Sequence, residues 1–182
     1  MDAVRDLLLN KGVNYFVYGP NMSEENVKQW FINEVYKPIK YNAVKAKIEK
    51  ATITFNYYSP KWYSGAANVT FSLKKDLWGL ILQLTEKDYY KLKSKENPIG
   101  DYYELEVTSI VEGTEIKVKT FKVKKEKETS KEEPVREAYL NLIIKAAEKH
   151  EFPPDYINDL KRIKPKEIKE FEKKLYDMLN QK

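Results

Sequence analysis

Short runs of β-branched and aromatic residues, several alternating with polar residues, predict a chain rich in β-strands. Strands are predicted at residues 13–18, 43–58, the end of 62–71, 76–84, 102–107 and 115–123. The run at 76–84 is the most apolar of these, which indicates a strand in the centre of a sheet. Glu112 and Gly113 lie between the last two strands and predict the turn that joins them.

Apolar residues at helical spacing predict helices between and after the strands. Ser23, Thr85 and Pro134 are typical of helix starts and mark three of them. Helices are predicted at residues 3–9, from 24 to about 38, at 86–92, at 134–146, in a short stretch ending at 160, and from 165 onward. A loop is predicted at 93–101, and a polar, mobile bridge at 124–133.

This order of elements predicts an α+β domain in which a mostly antiparallel sheet curls into a small β-barrel with surrounding helices. The alternation of strands and helices is too irregular for a doubly wound parallel sheet. A length of 182 residues with 42% hydrophobic content suits one domain with a core of its own. We expect an N-terminal helical extension at 1–12, the main domain at 13–164 and a C-terminal helix at 165–182.

The composition narrows the chemistry open to this chain. It has no cysteine and a single histidine, His150, which excludes disulfides, thiolate nucleophiles and multi-histidine metal sites. Carboxylates, tyrosines or backbone groups must therefore supply any catalysis.

The charge and the hydropathy of the chain limit which binding partners and which compartment we expect. The net charge is +5, but the lysines are interleaved with glutamates, so we expect a mixed-charge surface and no nucleic-acid site. A charged content of 34%, mostly Lys and Glu, is typical of proteins from hot environments. The first residues form no secretory segment, and no run is long and apolar enough to span a membrane, so we expect a cytoplasmic protein.

One stretch combines a strand, a tight turn and a helix start. The strand beginning at Val13 ends at Gly19, Pro20 and Asn21, and Ser23 follows as the predicted helix cap. Such a turn can present backbone N–H groups to a carbonyl or carboxylate of a small ligand, although many turns of this kind only connect elements. Pro20 has no N–H, so the turn has one donor fewer than other sequences would provide.

Landmarks along residues 13–164 resemble, in the same order, those of the gamma-glutamylcyclotransferase-like superfamily. The Tyr18-Gly19-Pro20-Asn21 loop resembles its Tyr-Gly-Ser-Asn loop, with proline in place of serine. The strand at 77–80 is similar to its Val-Trp-Gly-Val strand, and residues 92–96 are similar to the Leu-Asp-x-x-Glu segment that carries the catalytic acid. Further similar segments are 46–55, 62–71, 138–147 and 152–156.

The resemblance implies a gamma-glutamylcyclotransferase-like fold and an enzyme that needs no metal or organic cofactor. Its substrate would be a small γ-glutamyl amine or γ-glutamyl amino acid, whose α-amino group attacks the γ-carbonyl to give 5-oxoproline and a free amine. Glu96 stands at the position of the catalytic acid and base. The loop from Tyr18 to Asn21 would bind the substrate, and Tyr102, next to Tyr103, resembles the tyrosine that follows the acid.

Two other functions stay open at this stage. A member of the fold without turnover would be a binding or interaction module, and it would use the basic surface at residues 119–131 for an anionic partner. A two-carboxylate hydrolase rests only on the abundance of glutamates, since no carboxylate partner for Glu96 stands out. The protein is expected to be a monomer or a homodimer.

Overall fold

The computed structural model describes residues 3–29, 41–97 and 99–165. The helices in these ranges are α1 (Ala3–Leu8), α2 (Glu24–Gln29), α3 (Glu86–Glu96), α4 (Glu137–Lys149) and α5 (Pro154–Lys161). The strands are β1 (Val13–Val17), β2 (Ala43–Ile48), β3 (Ala51–Thr54), β4 (Tyr58–Ser59), β5 (Ser64–Gly65), β6 (Asn68–Phe71), β7 (Leu77–Leu84), β8 (Tyr102–Val111) and β9 (Thr114–Val123). The predicted continuation of α2 to residue 38 and the predicted C-terminal helix lie outside the described residues.

Five strands form a closed barrel in the order β1-β7-β2-β8-β9. Neighbouring strands pair antiparallel, except that β1 and β9 close the barrel with a parallel pair at Tyr15 and Lys119. The Thr120 hydroxyl, on β9, donates to the Phe16 carbonyl at 2.9 Å and reinforces this closure. The predicted α+β class and curled, mostly antiparallel sheet are confirmed, and the apolar run at 76–84 forms the strand between β1 and β2.

The single strand predicted at 43–58 is wrong. The chain turns at Lys50, whose φ of 55° is left-handed, and the two sides of this turn join different sheets. β2 pairs with β7 in the barrel, whereas β3 pairs with β6 in a separate two-stranded sheet. The Asp76 carboxylate accepts from the Lys50 N–H at 3.3 Å, which holds the turn against the start of β7.

Helix α3 is longer than predicted, and this correction changes the place of Glu96 in the fold. The prediction ended the helix at residue 92, but it continues to Glu96, and the Asn97 N–H caps it by donating to the Lys93 carbonyl at 3.0 Å. Thr85 begins the helix as predicted, because its side chain accepts from the Asp88 N–H. Lys93, in the extra turn, forms an ion pair of 3.0 Å with Glu104 on β8. Glu96 is therefore the last residue of a helix and not part of a loop.

The bridge predicted to be mobile is hydrogen-bonded to the segment between β3 and β4. The Thr129 N–H donates to the Asn56 carbonyl at 2.8 Å, and the Glu133 N–H donates to the Phe55 carbonyl at 2.9 Å. α4 then packs its apolar face, with Ile143 fully buried, over the turn that follows β1. None of the helices in the described ranges is both long and apolar enough to cross a membrane.

Candidate active site

A cavity of about 90 Å³ opens where β1 ends. Its walls come from four parts of the chain: β1 and the following turn, residues 57–67, the end of α3, and aromatic side chains of β8, β9 and α4. A space of this size holds several water molecules or part of a small ligand. The barrel therefore carries a concave site at one end, built from segments far apart in sequence.

Glu96 enters this cavity from the last residue of α3 and accepts a hydrogen bond from the Tyr15 hydroxyl through Oε2. Tyr15 lies on β1 and is fully buried. The rings of Tyr89 and Phe121 contact it edge-on, with centroids 5.6 and 5.8 Å away, so the donor is held in place by packing.

The environment of Glu96 favours its neutral form more than water does. Burial raises the pKa of Glu96 to about 7, and the Tyr15 hydroxyl, the Lys61 ammonium and the Asn21 amide oppose that rise. The position of Glu96 at the negative end of α3 adds to the cost of its charge. A carboxyl group with this pKa can both take up and release a proton near neutral pH.

The turn after β1 is a 3₁₀ turn at Pro20–Met22. Asn21 is buried within it, and its side chain donates toward Glu96. The Asn26 amide nitrogen, on α2, donates to the Asn21 side-chain oxygen at 3.4 Å and to the Pro20 carbonyl at 3.3 Å. This contact with Asn26 turns the donor end of the Asn21 side chain toward the Glu96 carboxylate.

Gly19 leaves room in the cavity wall. Its backbone has φ −111°, which any residue adopts, and a Cβ there would meet only Ala67 at 3.5 Å and the Tyr139 hydroxyl at 3.7 Å. Neither backbone strain nor packing within the protein requires glycine at this position. The turn's own hydrogen bonds use the N–H groups of Met22 and Ser23, so the N–H groups of Gly19 and Asn21 are the candidate donors to a ligand.

Tyrosine hydroxyls make up much of the remaining polar surface. The Tyr18 hydroxyl donates to the Phe121 carbonyl at 2.6 Å, and the Ala67 N–H donates to the Tyr139 hydroxyl at 2.8 Å. Tyr102 lines the cavity and its ring contacts Tyr57. Burial raises the pKa of Tyr18 and of Tyr102 well above the usual range, so both stay neutral hydrogen-bonding groups.

All six residues predicted for the site line this one cavity: Tyr18, Gly19, Pro20, Asn21, Glu96 and Tyr102. Tyr103, the neighbour of Tyr102, is 40% exposed and does not line it. No group of three or more His, Asp or Glu side chains suited to a metal ion occurs among the residues that the structure describes.

Sequence reasoning missed three residues of the site: Tyr15, Lys61 and Tyr139. Tyr15 and Tyr139 have apolar neighbours at strand or helix spacing, so their pattern indicated core residues. Lys61 stands beside Trp62, in a segment with no regular periodicity. No signal in the sequence separated these three from structural residues.

Several lysines of the basic segment at 119–131 form ion pairs in the described chain. Lys119 pairs with Glu104 at 2.9 Å, and Lys127 pairs with Asp101 at 3.1 Å. Lys122 and Lys125 both pair with Glu128, at 2.6 and 2.9 Å. Four lysines of this segment therefore have a carboxylate beside them, and two of the four share Glu128.

Comparisons with known proteins agree with this fold. A family model described as the AIG2-like family matches residues 76–160. The gamma-glutamylcyclotransferases of Mus musculus and Bos taurus are each 24% identical over 161 residues, which is 85% of this chain and 80% of theirs. A solved structure named gamma-glutamyl cyclotransferase superposes with a TM-score of 0.72 at 20% identity and covers 91% of this chain and 98% of its own. The chain is therefore similar in sequence to gamma-glutamylcyclotransferases and has the fold of the solved structure of that name.

Proposed function

We propose that this protein is a cyclotransferase that converts a γ-glutamyl amine or γ-glutamyl amino acid to 5-oxoproline and a free amine. The observation that carries the proposal is the placement of Glu96, with a pKa raised to about 7, in one cavity with the turn from Tyr18 to Asn21. The sequence similarity to two gamma-glutamylcyclotransferases supports the same reaction class. The substrate is a small molecule, and the predictions of a cytoplasmic monomer or homodimer stand as predictions.

The proposed reaction moves two protons, one after the other, from the attacking nitrogen to the departing nitrogen. The Glu96 carboxylate takes a proton from the substrate α-ammonium, and the freed amine attacks the γ-carbonyl carbon to form the new C–N bond of a five-membered ring. Glu96 then gives the proton to the departing nitrogen as the old C–N bond breaks. The ring nitrogen still carries one extra proton, which passes through Glu96 to the released amine, so the amine leaves as an ammonium and Glu96 is a carboxylate again.

The carbonyl oxygen gains negative charge when the amine adds, and the turn after β1 is the proposed place to stabilise it. The N–H groups of Gly19 and Asn21 are donors on a backbone that its own hydrogen bonds already fix. The hydroxyl groups of Tyr102 and Tyr139, on the facing wall, would orient the glutamyl head. Pro20 contributes shape to the turn but no donor.

The alternative function is that of a binding module, which has the same fold but no catalytic turnover and binds an anionic partner. Pro20, in place of the serine of the superfamily loop, is the feature that keeps this alternative open. The ion pairs of Lys119, Lys122, Lys125 and Lys127 count against an anionic partner, because they place carboxylates among the positive charges of this segment.

The test is 5-oxoproline release from a panel of γ-glutamyl amines and amino acids. Glu96→Gln keeps the shape of the side chain but removes the proton carrier, and we expect kcat to fall by about 10²–10⁴. Glu86→Gln, at the exposed first turn of the same helix, is the matched control and should keep wild-type activity. Full activity in Glu96→Gln would sink the proposed mechanism. Absence of product from the whole panel would favour the binding module.

A further inference from the structure

The charge of the cavity is carried by two residues. Among the described residues that line it, Glu96 has the only carboxylate and Lys61 the only ammonium group. Glu96 has a place in the proposed proton transfer, whereas Lys61 has none. A cation in the wall of a small-molecule site is a candidate for binding an anionic group of the ligand.

The backbone that carries Lys61 is firmly held. The Trp62 N–H donates to the Ser59 carbonyl at 3.2 Å, and the Arg136 guanidinium donates to the Trp62 carbonyl at 3.2 Å. The Trp62 ring also packs edge-on against Tyr139, with ring centroids 5.0 Å apart. Because Trp62 is anchored on α4 in this way, the preceding residue has a defined place in the wall.

Lys61 lies at the rim of the cavity. It is an exposed residue, yet partial burial lowers the pKa of its ammonium group while the charge of Glu96 opposes that shift. Lys61 and Glu96 both line this one cavity, so a ligand that fills the cavity lies near both charges. Such a partly desolvated ammonium gains more from an incoming carboxylate than a fully hydrated one does.

The geometry of the proposed reaction decides which part of a ligand reaches this rim. The α-amino group and γ-carbonyl must both lie near Glu96 and the turn after β1, so the glutamyl head occupies the interior. The leaving group, attached to the γ-carbonyl, then points toward the opening. We infer that Lys61 binds a carboxylate on this leaving group, so that the site prefers γ-glutamyl amino acids to γ-glutamyl amines. The inference rests on the proposed function.

Two substrates that differ by one carboxylate test the inference. γ-Glutamyl-alanine and γ-glutamyl-ethylamide share the glutamyl head and the ethyl skeleton, and only the first carries an anion on the leaving group. In Lys61→Met we expect kcat/KM for γ-glutamyl-alanine to fall about tenfold, as for a lost charged hydrogen bond, with a change of less than about twofold for the ethylamide. Lys61→Arg should keep the preference, and Lys74→Met, an exposed lysine away from the cavity, should behave as wild type.

Equal losses on both substrates would overturn the inference, since Lys61 would then act on the glutamyl head or on the fold. An unchanged preference in Lys61→Met would overturn it as well.

Calorimetric titration separates this inference from the proposed function. Both compounds are titrated into Glu96→Gln with and without Lys61→Met. A preference for γ-glutamyl-alanine that disappears with Lys61→Met supports the role of Lys61 even if the wild type releases no 5-oxoproline, in which case only the proposed reaction fails. Binding of neither compound, or equal binding of both to Glu96→Gln, overturns the inference.

Discussion

At the scale of single residues, the acid–base character of Glu96 results from opposing effects. Two hydrogen-bond donors and a nearby ammonium group would by themselves hold a carboxyl pKa below its usual range. Burial acts in the other direction and is the larger effect, which leaves the pKa of Glu96 at about 7. Burial therefore sets the raised pKa of Glu96, and the hydrogen-bond donors lower it only in part.

Removal of the Tyr15 hydroxyl should shift this balance. In Tyr15→Phe the charged form of Glu96 loses its strongest donor, so the pKa of Glu96 rises further. If the deprotonated carboxylate is the base, the ascending limb of kcat/KM against pH moves upward by about one pH unit, and the rate at pH 7 falls accordingly. A pH–rate profile measures this shift.

Tyr90→Phe, on the exposed side of the same helix, is the control and should leave the profile in place. A Tyr15→Phe profile that coincides with the wild-type profile would contradict the role assigned to this hydrogen bond.

At the scale of elements, α3 has to be held firmly because its last residue is Glu96. Glu104, on β8, accepts hydrogen bonds from Tyr89 and Lys93 of this helix and from Lys119 of β9. Burial pushes the pKa of Glu104 upward, but these donors outweigh it and lower the pKa to about 2. Tyr89 also packs against Tyr15, so the same residue that meets Glu104 supports the donor to Glu96.

Glu104→Gln should weaken the attachment of α3 to the barrel. A carboxylate with a lowered pKa contributes its full stabilisation above its unfolded pKa and loses it as the pH falls toward the folded value. We therefore expect a loss of about 1–2 kcal/mol in the free energy of unfolding at pH 7, which shrinks as the pH falls from about 4.5 to 2. Urea unfolding at pH 7 and pH 3 tests both parts.

Glu106→Gln, an exposed position two residues along the same strand, should change stability by less than about 0.5 kcal/mol. A pH-independent cost of Glu104→Gln would mean that packing, and not charge, connects the helix to the sheet.

At the scale of the whole molecule, closure of the barrel creates the cavity. β1 lies between β7 and β9, and its end delivers the turn from Tyr18 to Asn21 to the rim. Gly79, on β7, permits this close approach, since a Cβ there would lie 2.4 Å from the Val17 carbonyl oxygen and 2.5 Å from the Phe16 ring. Two glycines near β1 thus serve different purposes: Gly79 lets strands pack, and Gly19 leaves space.

Alanine substitution should separate these purposes. Gly79→Ala forces the barrel wall apart, and we expect it to lower the free energy of unfolding by about 2–3 kcal/mol. Gly19→Ala meets only ordinary contacts and should stay within about 1 kcal/mol of the wild type. Urea unfolding of both variants measures these changes. Equal losses in the free energy of unfolding would contradict the prediction. Any loss of activity in a stable Gly19→Ala would then arise inside the cavity.

Local sequence patterns were enough to predict many of the strands and helices and the candidate site residues of this protein. Apolar alternation and turn residues located most of the barrel strands, and Thr85 and Ser23 located helix starts. The order of motifs resembled that of gamma-glutamylcyclotransferases, which made Glu96 and the turn from Tyr18 to Asn21 the candidate site. These features depend on neighbours in sequence, and so a linear pattern can reveal them.

The tertiary structure decided the rest. Only the closed barrel shows that the strand predicted at 43–58 is divided between two sheets at Lys50. Only the folded chain brings Tyr15, Lys61 and Tyr139 to the cavity that holds Glu96. Tyr15 and Glu96, which are hydrogen-bonded there, lie 81 positions apart in the sequence. The pKa of Glu96 is the clearest case, because burial is its main cause and burial depends on the folded chain as a whole.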